Sequence, residues 1–191
     1  AIRSEDFLTL NRDELGDLFR DHSVVYIYHN QIDATGDTLK TEGRVFDASE
    51  EAIKELLEIL KKYYQLSYTF AIVTSDHGFI YQNVSIDESD FAGIDIEGVE
   101  IQNRNRRFVI GKGLKQNPSI KIFQANQLGL SGNYEIAIPK SINRLRVKGS
   151  GSRYVHGGAS LQEVILPIVS VHKKRKDDVK VVDIDIIASS S

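Results

Sequence analysis

Asp33, Asp37, Asp76, His77 and His156 carry donor atoms that a divalent cation would accept, and each stands within three residues of a glycine. The chain has no cysteine, so thiolate sites and disulfides are excluded and any metal must be held by imidazole and carboxylate groups. Donors of that kind suit zinc, with manganese as the alternative. The run Asp33-Ala34-Thr35-Gly36-Asp37 holds two carboxylates either side of a flexible turn, a usable pair of oxygen ligands. Asp76 and His77 are neighbours and on a strand would point to opposite faces. A tight turn at Gly78 lets both address one small region instead. Two cations about 4 Å apart would clamp the attacking and leaving oxygens of a phosphoryl group. A plainer reading makes Asp76 a helix cap, His77 a loop residue and 154–158 a glycine-rich turn.

The elements that must position these groups are legible as patterns. Asn11 and Glu14 form a capping box ahead of a helical face of Leu15, Leu18 and Phe19. Val24 to Tyr28 reads as a buried strand that discharges into the polar loop holding Asp33 and Asp37. Asp47 and Glu50 open a helix whose apolar face is Ile53, Leu56, Leu57, Leu60 and Tyr64. Phe70 to Thr74 is a second buried strand, ending in Ser75-Asp76-His77-Gly78. Strand, helix, strand predicts a right-handed βαβ unit with parallel strands, which puts both polar loops at one sheet edge. That edge is where α/β proteins bind ligands.

From about 80 to 153 short β-like runs alternate with Gly- and Asn-containing turns, which predicts an antiparallel insertion over the sheet edge. Lys140, Arg144, Arg146, Lys148 and Arg153 make its later part cationic, either a solvated hairpin face or a wall for phosphate. Ser160 and Glu163 form a third capping box just after His156-Gly157-Gly158, and Pro167 marks the start or the edge of a strand at 164–169. Residues 173–178 read as an exposed turn, and 179–187 alternate as a last strand.

The 191 residues are long enough for one sizeable core; 41% are apolar and 27% charged, which sets disorder aside. A net charge of −3 gives no general reason to expect nucleic acid. No apolar run approaches the roughly 20 residues of a membrane span. With no cysteine, a cytoplasmic location is expected, and the absence of methionine suggests part of a longer protein.

Together Asp33-Ala-Thr-Gly-Asp37, Thr74-Ser-Asp76-His77-Gly78 and His156-Gly-Gly-Ala-Ser-Leu-Gln-Glu163 resemble the PglZ group of the alkaline phosphatase superfamily. The resemblance implies a three-layer α/β sandwich core carrying the β-rich insertion, with residues 1–171 as the C-terminal part of the catalytic domain and 172–191 as a strand and tail. It implies two divalent metal ions, zinc before manganese. One would be held by Asp33, Asp37 and His156, the other chiefly by Asp76 and His77. Asp37 stands where most of the superfamily has histidine, and His29 is close enough to substitute or is simply a loop histidine at a strand end. The nucleophile is expected upstream of this chain, so Thr74 and Ser75 are not assigned that role.

The activity implied is a metal-dependent phosphatase or phosphodiesterase, acting on a phosphate ester such as a nucleotide or nucleic acid, in bacterial phage defence of the BREX type. The complete protein is expected to be a hydrolase and this part alone inactive. Other phage-defence proteins are the expected partners, and no membrane is. The alternative is a non-catalytic interaction domain of a multi-protein defence or signalling complex.

Overall fold

The computed structural model describes residues 1–66, 68–92 and 96–173, so the expected strand at 179–187 and nearly all of the turn at 173–178 lie outside the described residues. The chain runs β1 (Ile2–Arg3), α1 (Ser4–Thr9), α2 (Arg12–Phe19), β2 (Ile27–Tyr28), α3 (Gln31–Gly36) and the long α4 (Val45–Gln65). Next come β3 (Phe70–Thr74), β4 (Ile80–Tyr81), β5 (Glu100–Arg104), β6 (Val109–Lys112), β7 (Ile120–Gln124) and β8 (Glu135–Pro139). The described chain closes with β9 (Tyr154–Val155), the one-turn α5 (Leu161–Val164) and β10 (Ile168–His172). The class is mixed α/β, with helices and several small, mostly antiparallel sheets.

Local chemistry accounts for many of these elements. Asn11 caps α2 with its side chain while Glu14 reaches back to the Asn11 N–H at 2.7 Å. The apolar face so formed buries Leu15 and Phe19 against Phe7 and Ile59, while Leu18 points outward. At about 1.5–3 kcal/mol for each large side chain, that contact docks α2 on α4. Helix α4 starts at Val45, with Arg44 before it and no side-chain cap, so Asp47 and Glu50 lie inside the helix rather than opening it. Its buried face is Val45, Ala48, Ala52 and Ile59, displaced from the expected one, and Ile53 and Leu57 are exposed. The early start adds three residues to the helix, and the small residues Ala48 and Ala52 lie on its buried face.

The βαβ expectation fails. β2 pairs in parallel with β1, Ile2 opposite Ile27, whereas β3 pairs antiparallel with β10 from Phe70–His172 to Thr74–Ile168. The two strands flanking α4 therefore belong to different sheets. Apolar periodicity marks where a strand can form but not which neighbour supplies its ladder hydrogen bonds. Here Ile2 donates to Tyr26 at 2.9 Å, and residues beyond the whole insertion take up β3. Neither strand is buried as expected: Tyr26, Tyr28, Phe70 and Ile72 are all exposed. The polar loop at 29–37 is also corrected, since residues 31–36 fold as α3.

The β-rich stretch is antiparallel, as its short runs predict, in the order β5-β6-β8-β7. Its core is Val109, Ile120, Ala137 and Leu145, joined by Ile96 and Leu114. Three contacts bind this unit to the loops that carry the candidate ligands. β4 pairs with β9, Ile80 opposite Val155 and Tyr81 opposite Tyr154, so the chain leaving the 76–79 loop lies beside the chain entering His156. The buried Glu42 carboxylate accepts the Arg153 N–H at 3.0 Å, at a place where only a glycine, Gly151, can pass. The third is Arg107 with Glu163, whose side chains are 0% and 1% exposed.

Arg107 donates from Nε and Nη2 to the two oxygens of Glu163, each at 2.8 Å, and also reaches the carbonyls of Ser141 and Asn143. Glu163 accepts in addition from the N–H groups of Gly158 and Ser160 and from the Ser160 hydroxyl, and the expected capping box is formed. Its backbone carbonyl takes the Gly78 N–H at 2.9 Å. Gly78 is needed there, because a Cβ would stand 2.1 Å from the Gln162 carbonyl oxygen.

Burial by itself would raise the Glu163 pKa, but the hydrogen bonds from Arg107 and Ser160 and the guanidinium charge outweigh it and hold the carboxyl below its ordinary 4.5. A lowered folded-state pKa stabilises the fold above the unfolded value, and that stabilisation is lost as pH falls through the folded one. Urea titrations of the wild type should therefore show stability declining as pH drops below 4.5. Glu163→Gln should flatten that decline and cost about 3–5 kcal/mol at neutral pH. Gly78→Ala, forced against backbone, should cost at least about 1–3 kcal/mol in the same assay.

Candidate metal centre

Helix α3 carries the first two carboxylates. Asp33 lies in its first turn and Asp37 at its C-cap, with the Asp37 N–H bonded to the Asp33 carbonyl at 2.9 Å. Four residues apart on a helix, they share a face. His156, one residue past the β9 partner of Ile80, sets its Nε2 between them, 3.5 Å from Asp33 Oδ1 and 3.4 Å from Asp37 Oδ1. The imidazole of His77 stacks on that of His156, centroids 4.2 Å apart and planes at 7°, and its Nε2 is 4.0 Å from Asp33 Oδ1. Among the described residues, Asp33, His77 and His156 form a group whose ligand atoms all lie within 4.8 Å of one another.

These separations fit a cation. Metal–ligand bonds of about 2.0–2.1 Å in tetrahedral array put neighbouring donor atoms about 3.3 Å apart. The two His156 distances match that edge, whereas the widest separation in the group reaches 4.8 Å and the His77 and His156 rings lie face to face, so His77 must turn before both imidazoles address one cation. The His77 ring nitrogen Nδ1 lies 3.0 Å from the Gly78 carbonyl, which can only accept, so Nδ1 carries the proton in that bond and Nε2 keeps its lone pair for a metal. All three candidate ligands are partly buried, shielded enough to strengthen a charge interaction while leaving a path for an ion.

The remaining candidates are placed differently. Asp76 is 92% exposed; it accepts the His77 N–H at 3.1 Å and stands 3.9 Å from His77 Nε2. His29 is drawn away to α4, where its Nε2 meets Glu55 at 2.8 Å. Within the cationic stretch, Arg144 is fully buried and Arg146 pairs with Glu88 while lying 3.9 Å over the Phe91 ring. Arg153 donates to the Gln82 carbonyl and the Tyr81 hydroxyl, whereas Lys140 and Lys148 are exposed.

Two residues of the site escaped sequence reasoning. Arg106, buried, donates from Nη2 to Asp37 Oδ1 at 2.6 Å and from Nη1 to the carbonyls of Tyr154 and Gly151. Tyr154, also buried, donates its phenol to Asp33 Oδ1 at 2.8 Å. Burial first, then the hydrogen bond and charge of Asp33, push the phenol pKa far up, so it stays a neutral donor. Nothing in their spacing marks either residue. Tyr154 could have been found only by noticing that a strand with His156 leading into the site would place an alternate residue on the same side.

Known proteins resemble the chain along nearly its whole length. Residues 1–171 match the family described as "BREX system PglZ alkaline phosphatase-like domain". "Alkaline phosphatase-like protein BrxZ" of Escherichia coli O9:H4 (strain HS) is 40% identical over 178 residues, covering 92% of this chain and 20% of that protein. "Alkaline phosphatase-like protein PglZ" of Bacillus cereus (strain H3081.97) is 34% identical over 192 residues, 97% of this chain and 22% of that protein. The chain thus spans about a fifth of the length of these relatives. No solved structure matches. No helix among the described residues is long and apolar enough to cross a membrane. A match over residues 1–171, with Asp33, His77 and His156 converging inside it, places this chain in the BREX system PglZ alkaline phosphatase-like domain family.

Proposed function

We propose that this domain is the metal-binding part of a phosphatase or phosphodiesterase, with Asp33, His77 and His156 holding a divalent cation, zinc before manganese. The observation that carries the reading is the convergence of these three side chains, from three distant stretches, to within 4.8 Å. Asp37 beside His156 and Asp76 beside His77 are the carboxylates available to a second cation, with Asp37 sharing its Oδ1 with Arg106. Bound metal would polarise a phosphoryl oxygen and stabilise charge on the oxygens of a phosphate ester. The residues of this chain orient the ligands: Gly78 and Glu163 fix the His77 loop, β9 delivers His156, and α3 presents both carboxylates on one face. Lys140 and Lys148 are exposed and could meet phosphate, and Arg146 is exposed too but paired with Glu88. Arg144, Arg146 and Arg153 would have to exchange protein contacts for it.

The description of the family supports a setting in a BREX system. A role in bacterial phage defence, a cytoplasmic location, a nucleotide or nucleic-acid ester as substrate and other defence proteins as partners are proposed with it. The alkaline-phosphatase-like sandwich core, the nucleophile and turnover are proposed for a protein of the relatives' length. The 191-residue chain is expected to bind metal and turn over little. A non-catalytic interaction role is favoured by one observation, the exposed apolar side chains of β3 and β10, among them Ile72, Ile168 and Val169.

Metal analysis by mass spectrometry separates the two readings. The catalytic one expects zinc or manganese at one to two equivalents, abolished by Asp33→Ala, His77→Ala or His156→Ala. Metal-free wild type, or unchanged content in all three variants, defeats it. In a protein of the relatives' length, the same variants should lower hydrolysis of a chromogenic phosphodiester by a factor of 100 or more, roughly 3 kcal/mol in barrier.

A further inference from the structure

We propose that Tyr154 is the positioning residue of this centre: its buried phenol fixes Oδ1 of Asp33 in the orientation that receives a divalent cation, and Gly36 is the slot that admits its ring. The inference rests on the metal-binding reading above. The phenol donates to Asp33 Oδ1 at 2.8 Å, the same oxygen that faces Nε2 of both His77 and His156. A carboxylate oxygen has two lone pairs, so one hydrogen bond leaves the other for a metal. A phenol is also a neutral donor. It holds the carboxylate without cancelling the charge that attracts the cation, unlike the guanidinium of Arg106 on Asp37. Outer contacts of this kind set the orientation of metal-binding carboxylates and the affinity of the site.

The ring is held on several sides, so the phenol has little freedom to leave. Phe79 packs on it at 4.9 Å and 41°, and His156, two residues on along the chain, lies at 5.8 Å. Its backbone carbonyl accepts from Arg106, which ties its main chain to the neighbour of Asp37. On the helix side the ring lies against Gly36, where a Cβ would stand only 2.4 Å from three-dimensionally adjacent ring carbons. Gly36 has no positive φ, so it is the close approach of the ring, not backbone conformation, that demands glycine. Asp33 and its anchor are thereby set by two elements distant in sequence, α3 and β9.

The test is calorimetric titration of the metal-stripped chain with zinc chloride and with manganese chloride, alongside thermal melts with and without metal. Tyr154→Phe keeps the ring and should bind about 10–100-fold more weakly than wild type. Its metal-free melting temperature should stay close to wild type, while the rise on adding metal should shrink. A merely structural role would instead lower the metal-free melt and spare the affinity. Gly36→Ala is the second variant: it retains the hydroxyl but displaces the ring, and should show the same loss of affinity. If Tyr154→Phe and Gly36→Ala both bind within about twofold of wild type while Asp33→Asn loses the ion, the centre stands and the role of Tyr154 is refuted. If wild type binds neither zinc nor manganese, the metal reading and this inference fall together.

Discussion

The arrangement depends on the Glu163 carboxylate and the Arg107 guanidinium, two opposite charges buried almost completely. Removing both from water is expensive, and their attraction offsets that cost only because nearly every remaining donor and acceptor is used. Glu163 takes five hydrogen bonds from Arg107, Gly158 and Ser160, and Arg107 spends its others on the carbonyls at 141 and 143. The pair thus joins the β-rich unit, the glycine pair after His156 and the short helix α5. Through the Glu163 carbonyl it also holds Gly78, and so the loop bearing Asp76 and His77. Loops with little apolar contact of their own are in this way given the rigidity that a metal centre needs.

Around that knot the candidate ligands are distributed over separate elements, and each is aimed by a different device. Helix geometry aligns Asp33 with Asp37, an antiparallel pairing of two residues a side delivers His156, and a turn closed by Gly78 delivers His77. The two carboxylates receive unlike outer partners, a phenol on Asp33 and a guanidinium on Asp37. Their chemistry therefore differs although both are aspartates on one helix face. A carboxylate bonded to a neutral donor meets a cation with its charge uncompensated, whereas one paired with arginine already has a cationic partner to share it with.

The apolar surface of the two-stranded sheet stands apart from this economy. Ile168, Val169, Phe70 and Ile72 are exposed on strands that, among the described residues, share ladder hydrogen bonds only with each other. Solvent-facing β-branched and aromatic side chains on a narrow sheet explain why residues 70–74 read as buried: they are chosen for apolar surroundings that the described residues do not supply.

How much was legible follows the range of the interactions. Local patterns declared themselves. The Asn11–Glu14 and Ser160–Glu163 boxes bond within a single turn, the antiparallel runs between 100 and 139 carry their own turns, and the Asp-His and His-Gly-Gly motifs identify donor atoms by chemical type alone. Donor type and the absence of cysteine restricted the metal chemistry before any fold was known. Strand partners did not declare themselves, because a ladder hydrogen bond looks the same from every strand. β2 took Ile2–Arg3 and β3 took Ile168–His172 rather than each other's sheet. Nor did Tyr154, Arg106 or the Arg107–Glu163 pair, ordinary residues whose roles exist only where burial removes water and a partner from far along the chain replaces it. The sequence by itself determined which atoms could bind a cation; tertiary structure decided which of them meet, because distances of a few ångströms between residues far apart in the chain are set by packing and not by spacing.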